Sequence, residues 1–254
     1  MKTILISILL SLFNFCAFAQ IVNIEDKRGA LADTSAWLGY IDLKFNLVEN
    51  GNSVISINGN LRLEYLQNRH TFLGLTNYNL GKVGGDDFIN QGFQHLRYNY
   101  KVKRRLTWEA FTQAQYNEKI KLQLRWLLGT GPRFELFKTE KNRAYLGTLY
   151  MFEYDEEVSV EDNFEEYHRD HRLSTYFSFR IQAHPHISIA GTTYFQPVLT
   201  DISDLRISSQ TSLNFDISSH WAFSSAFSIT FDSDVPEGVV NTIYQWKNGL
   251  RWNF

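Results

Sequence analysis

The sequence predicts an all-β fold, a single antiparallel transmembrane β-barrel of about twelve strands. Three observations predict it. Two-residue alternation of apolar and polar side chains recurs from Ala36 to the last residue, whereas no window beyond the N-terminal run sustains a 3.6-residue period. Many alternating runs exceed the roughly 5 to 6 residues usual in soluble strands and reach the roughly 9 to 11 that cross a bilayer when tilted. Connections alternate between tight turns and longer loops, as between the periplasmic and external ends of an outer-membrane barrel.

The first segment is read separately from the fold. Lys2 precedes an apolar run from Ile4 to Phe13, and Ala17-Phe18-Ala19 is followed by Gln20. This is the pattern of a Sec-type signal peptide cleaved after Ala19, and the run is too short for a spanning helix, which needs about 20 residues. Residues 1–19 are therefore a signal and 20–254 one outer-membrane barrel domain. The only cysteine, Cys16, lies in the removed segment, so a mature chain without thiolate chemistry is expected. Four prolines, fifteen glycines and no Ser/Pro-rich stretch give no sign of a second domain. Loss of Lys2 takes the formal charge from -2 to -3, which offers no field for a nucleic-acid partner.

Strands are placed near 36–48, 53–66, 70–80, 90–102, 105–117, 120–137, 143–154, 172–183, 186–198, 204–217, 220–232 and 240–254. Turns at Gln67-Asn68, Lys103-Arg104, Thr139-Glu140, Ala183-His184 and Ser218-Ser219 are tight, whereas Gly81 to Phe88, Asp155 to His171 and Asp232 to Gly238 read as longer loops, although Glu49-Asn52 and Asn117-Glu118 are short too. From Leu122, one lane carries Leu122, Leu124, Trp126 and Leu128 against Lys121, Gln123 and Arg125. From Leu205, Leu205, Ile207, Leu213 and Phe215 oppose Arg206, Ser208, Ser212 and Asn214. A soluble sheet with one buried face alternates in the same way. Strand length, turn asymmetry and the final strand favour the membrane.

All six tryptophans, Trp37, Trp108, Trp126, Trp221, Trp246 and Trp252, fall in the apolar lane and read as lipid-interface aromatics, with Trp37, Trp108, Trp221 and Trp252 near strand ends on the tight-turn side. The last lane runs through Tyr244, Trp246, Leu250 and Trp252 to Phe254. Trp252 and Phe254 resemble the C-terminal signal read by the barrel assembly machinery. Outer-membrane lipid and lipopolysaccharide are the other expected partners, for a monomer at the cell outer membrane of a Gram-negative bacterium.

Three segments carry a family resemblance. They are Leu127-Leu128-Gly129-Thr130-Gly131-Pro132-Arg133-Phe134, then Tyr194-Phe195-Gln196-Pro197 with Asp201, Asp204 and Arg206, then Phe231-Asp232-Ser233 through Pro236-Glu237-Gly238-Val239 with Asn248-Gly249-Leu250. In these the chain resembles the salt-induced outer-membrane protein family, a domain-of-unknown-function group, in its Bacteroidetes-type form. The resemblance implies an outer-membrane barrel and supplies no catalytic residues.

The polar lane holds Arg62, Glu64, Arg97, Glu109, Arg125, Arg133, Glu135, Glu153, Arg172, Arg180, Arg206, Asp216, Lys247 and Arg251. A charge facing lipid near the midplane costs about 2 to 4 kcal/mol, so these side chains are expected in the lumen, paired across strands. Basic groups outnumber acids in this set, which fits a narrow, porin-like pore for small anionic solutes. An ion-paired, plugged lumen in a structural or adhesive envelope protein fits the same residues.

Gly129 and Gly131, in the lumen lane, are expected to admit another side chain or a bend. The acid-rich stretch from Asp155 to His171 reads as a solvated loop, with a divalent cation as the alternative. An outer-membrane phospholipase is the enzyme reading, carried by His186 and Ser188 two residues apart. The pair has no matching asparagine downstream on its strand, so no catalysis is expected. No cofactor and no metal site are predicted, and the scattered histidines, including His168 and His171, read as loop or turn residues.

Overall fold

The computed structural model describes residues 36–50, 52–84, 86–158, 165–236 and 238–252. The predicted signal peptide with Cys16, Glu237, and Phe254 of the predicted assembly signal lie outside them.

Twelve antiparallel strands form one sheet in sequence order, each hydrogen-bonded to the next. They are β1 (Ala36–Asn50), β2 (Asn52–Gln67), β3 (His70–Val83), β4 (Asp86–Lys103), β5 (Leu106–Asn117), β6 (Leu122–Lys138), β7 (Arg143–Val158), β8 (Glu165–His184), β9 (Ile187–Pro197), β10 (Leu205–Asp216), β11 (Trp221–Asp232) and β12 (Thr242–Trp252). The only helical element among the described residues is a 3₁₀ turn at Glu118–Ile120 between β5 and β6.

The tight turns are tied to the strand beyond them. Lys101 N–H donates to Arg69 O at 2.9 Å, Glu135 N–H to Arg105 O at 2.9 Å, and Asp216 N–H to His186 O at 2.8 Å. Gln182 N–H donates to Asn142 Oδ1 at 2.8 Å. Asn68 supplies the left-handed backbone of the β2–β3 turn, with φ of 54°, a conformation asparagine tolerates.

The sheet is inverted relative to a soluble protein. Glu64, His95, Arg97, Glu109, Arg125, Glu153, Asp155, Arg172 and Arg206 are buried, while Ile41, Leu43, Leu96, Leu128, Trp246 and Leu250 are among many exposed large apolar residues. Buried charge beside an exposed apolar face is the informative combination. All six tryptophans lie on the exposed face. The indole N–H groups of Trp108, Trp126 and Trp246 donate to Thr130 at 2.8 Å, Thr112 at 2.9 Å and Ser225 at 2.8 Å, respectively. Trp221 stacks on Trp252, with centroids 5.9 Å apart.

The sheet also curls. Tyr176 on β8 donates its hydroxyl to Glu109 on β5 at 2.5 Å, and Arg206 on β10 donates to Glu153 on β7 at 2.8 Å. Each pair is three strand intervals apart, roughly 14 Å in a flat sheet at about 4.8 Å per interval. Only strong curvature toward the polar face brings such side chains into contact.

Four sequence expectations are corrected here. Gly81 to Phe88 is mostly strand, since β3 runs to Val83 and β4 starts at Asp86. The stretch from Asp155 to His171 is mostly strand: β7 runs to Val158 and β8 starts at Glu165, so His168 and His171 are strand residues. His171 lies on the apolar face, where the Tyr150 hydroxyl meets its Nδ1 at 2.6 Å. Leu122 belongs to the buried face, only 1% exposed, because the β6–β7 register shifts between Leu122 and Leu124 after Lys121 adopts φ of 58°. The polar lane is also not uniformly wet, since Leu73, Leu75 and Phe93 form one buried apolar patch and Phe111, Leu127, Leu149, Met151 and Tyr176 another.

Candidate functional site: a charged layer across the sheet's concave face

The first cluster is centred on Glu109. Its fully buried carboxylate lies 3.1 Å from Arg97 Nη1 and 3.1 Å from Arg133 Nη1, and it accepts the Tyr176 hydroxyl. Two guanidinium groups and one phenol from β4, β6 and β8 thus converge on one β5 acid. Arg97 sits over the Phe111 ring at 5.2 Å and Arg133 over the Tyr145 ring at 4.8 Å. Arg97 Nε also donates to His95 Nε2 at 3.3 Å, which leaves Nδ1 to carry the proton toward Gln113 Oε1, 2.9 Å away. His95 is therefore a neutral spacer in the layer.

Glycines make this layer possible. A Cβ on Gly129 would stand 2.6 Å from Phe111 Cζ, and one on Gly147 would stand 2.5 Å from Tyr176 Cζ. Real Cβ atoms do not approach so closely, so the two rings lie flat on bare backbone. That position lets the Tyr176 hydroxyl reach across to Glu109. Gly129 and Gly131 were predicted to admit a neighbour; Gly147 and Tyr176 were missed. The signal available was an aromatic residue facing a glycine across adjacent polar lanes.

The second cluster lies toward the longer loops. Glu153 accepts from Arg172 Nε at 3.1 Å and Arg206 Nη1 at 2.8 Å. Arg206 Nε reaches Asp232 at 2.7 Å, and Arg172 grips both oxygens of Asp204 at 3.0 and 3.2 Å. Arg125 chelates Asp155, with Nε 2.8 Å from each oxygen. Arg172 also donates to the Gln196 carbonyl at 3.2 Å. The segments that carried the family resemblance thereby meet: Gln196, Asp204, Arg206 and Asp232 surround Arg172 and Glu153, while Gly129 and Arg133 belong to the Glu109 layer. In the loop before β10, the exposed Asp201 carboxylate is held below its ordinary range by the hydroxyl and amide of Ser203.

The remaining predicted lumen charges are placed as follows. Arg62 and Glu64 pair with each other on β2. Glu135 faces Tyr145 across β6 and β7, and Arg180 faces Arg143 across β7 and β8. Arg251 is exposed on β12 opposite Ala222. Asp216 also faces Ala222, and Lys247 faces Ala226. The sequence set omitted Asp155, Glu157, Asp170, Asp204 and Asp232, so its excess of basic residues does not describe the second cluster, where acids outnumber the three arginines.

Between these clusters and the β11–β12 loop is a chamber of about 1270 Å³ including its open mouth, lined by residues from His95 on β4 round to Ile243 on β12. Leu127, Leu149 and Met151 give it an apolar wall, and Val235, Pro236 and Val239 of the loop also line it. His186 sits in the β8–β9 turn with its ring 5.4 Å from that of His184, and Ser188 is one residue into β9. The predicted pair is therefore not carried on one strand. Among the described residues, no group of three or more His, Cys, Asp or Glu could hold a metal ion.

No curated protein matches the chain. A solved structure described as the NanC porin in a rhombohedral crystal form is similar at 10% identity with a TM-score of 0.49, covering 87% of this chain and 99% of its own. A family model described as a protein of unknown function, DUF481, matches residues 46–254. That match takes in every strand that builds the two clusters, and the chain belongs to this family, the domain-of-unknown-function group its motifs resemble.

Proposed function

We propose that the chain is an integral outer-membrane protein whose sheet closes into a twelve-stranded barrel with a plugged lumen, a non-enzymatic component of the envelope rather than an open channel. The observation that carries this reading is the inversion of the sheet, with apolar side chains outside and ion-paired charges inside. An even number of strands makes β1 and β12 antiparallel, with Trp37 and Trp252 at the same end and on the same face, so pairing the two would join matching lanes. In water the exposed apolar face would be a large aggregation surface; in a bilayer it is the solvated one.

The plug is the Glu109 layer. Tyr176 and Arg97 reach it from opposite sides of the curl, with aromatic rings stacked beneath the guanidinium groups. Outer-membrane phospholipid and lipopolysaccharide are the partners of the apolar face, and the assembly machinery that of β12 during insertion. Planar-bilayer recording on the purified, folded chain tests the reading. The expected result is silence in the parent and discrete conductance steps in Glu109→Gln combined with Tyr176→Phe. Steady conductance in the parent would replace the plugged barrel with an open pore, and a mature chain that stays dispersed and folded without detergent would remove the membrane altogether.

A further inference from the structure

The tight-turn end carries a second cavity that the plugged-lumen reading leaves unused. It takes in about 500 Å³ including the open solvent at its mouth and is lined by Arg69, Lys101, Arg104, Arg105, Lys138 and Arg133, against Glu135 as the one acid in its wall. We propose that this cavity is a binding site for a free phosphate-bearing polyanion, with pyrophosphate-like charge density, at the tight-turn mouth of the barrel.

Four features carry the assignment. Arg69 comes from the β2–β3 turn, Arg104 and Arg105 from the β4–β5 turn, Lys101 and Lys138 from near the ends of β4 and β6, and Arg133 from within β6. Backbone bonds from Lys101 N–H to Arg69 O and from Glu135 N–H to Arg105 O fix the turns from which the first of these project. Arg133 at the base is only 9% exposed, is braced on the Tyr145 ring and points from the Glu109 layer into the cavity wall.

The charge also continues along the sheet in register. Lys138 pairs with Arg143, and Arg143 with Arg180, so three basic residues stand side by side across β6, β7 and β8. Arg143 and Arg180 extend the basic ground beside the cavity without lining it.

The chemistry selects phosphate over a single carboxylate. Arginine forks match phosphate oxygens in bidentate fashion, and lysines add point charges; with Arg133 already paired to Glu109, the other five cations against one acid still call for a ligand of more than one negative charge. The location selects a free ligand over a lipid headgroup. Lys101, Arg133 and Lys138 lie on the concave face, whereas lipid would meet the opposite face, where Trp108 and Phe134 stand. The site holds whether or not the lumen conducts, so its test is independent of the bilayer recording.

The test uses the full chain folded into nanodiscs and titrated calorimetrically with sodium pyrophosphate, with sodium sulfate as the anion control. Saturable binding of one pyrophosphate per chain is expected, weaker at higher salt. It should be weakened about tenfold or more by the paired charge reversal Arg104→Glu and Arg105→Glu, at exposed turn positions that leave the plug intact. Lys101→Gln gives a milder second variant should the reversal impair folding. Absence of saturable binding, or binding equal in parent and variants, overturns the proposal. So does binding seen in zwitterionic nanodiscs but abolished by phosphatidylglycerol, which assigns the rim to lipid headgroups.

Discussion

Replacing Glu109 with glutamine keeps the side chain's shape and removes its charge, so it isolates what the carboxylate does. In the parent, that carboxylate lies 3.1 Å from both Arg97 and Arg133 and accepts a 2.5 Å bond from Tyr176. Glu109→Gln leaves two buried arginines without their shared counter-ion. Removing one partner of a buried ion pair costs about 3 to 5 kcal/mol, and that is the expected loss. Tyr176→Phe removes one hydrogen bond to a charged group, worth about 1.5 to 3 kcal/mol. Both changes act on the same oxygen atoms, so the double variant should fall short of the sum by about 0.5 to 3 kcal/mol. Urea unfolding in detergent, followed by tryptophan fluorescence and by the electrophoretic shift between folded and unfolded forms, measures all three. A Glu109→Gln variant within about 0.5 kcal/mol of the parent would refute the reasoning, because surface substitutions have that size. Strict additivity would refute the shared-carboxylate geometry in particular.

Two further predictions concern the apolar face. Leu128→Arg, on that face and 48% exposed, should cost about 2 to 4 kcal/mol in folding into lipid vesicles, and a neutral effect would mean the face meets water. Thr112→Val strands the Trp126 indole N–H that Thr112 accepts at 2.9 Å, costing about 1 to 3 kcal/mol, whereas Trp126→Phe with Thr112→Val removes both partners and should restore most of that loss in the same vesicle assay; equal losses would place the indole in contact with water.

Strand order and the faces of most strands were legible because the alternation has a two-residue period that tolerates few interpretations. Strand ends were less so. Glu156 and Glu157 read as solvated loop, yet β7 carries the register through both to Val158, with Arg125 standing 3.8 Å from Glu157. An acid at a strand end declares its polarity, not whether a partner waits across the sheet. Leu122 was misplaced because a one-residue register shift flips every preceding side chain, and nothing in Lys121-Leu122-Gln123 announces the shift. Leu127 and Leu149 were hidden by their apolar neighbours on the other face. The Glu109–Tyr176 contact spans 67 residues and three strand intervals. Alternation assigns each residue to a face, but only curvature determines which residues meet there.

The same limit applies to the charge balance. With 25 basic and 27 acidic residues, the chain looks featureless in sum. An up-and-down sheet, however, sends alternate connections to opposite ends, and the two sets differ in composition. Among the described residues of the tight turns, Arg69, Arg104, Arg105 and Lys141 stand with one acid, Glu140, whereas in the other connections Glu118, Asp201, Asp204 and Asp234 stand with two bases, Lys119 and Lys121. Between them the arginines are paired with acids, and the two sets of connections differ in the sign of their net charge. An anion near the sheet is favoured at the tight-turn end over the other. That asymmetry follows from topology and turn composition alone, and it persists even if individual pairs within the curl rearrange.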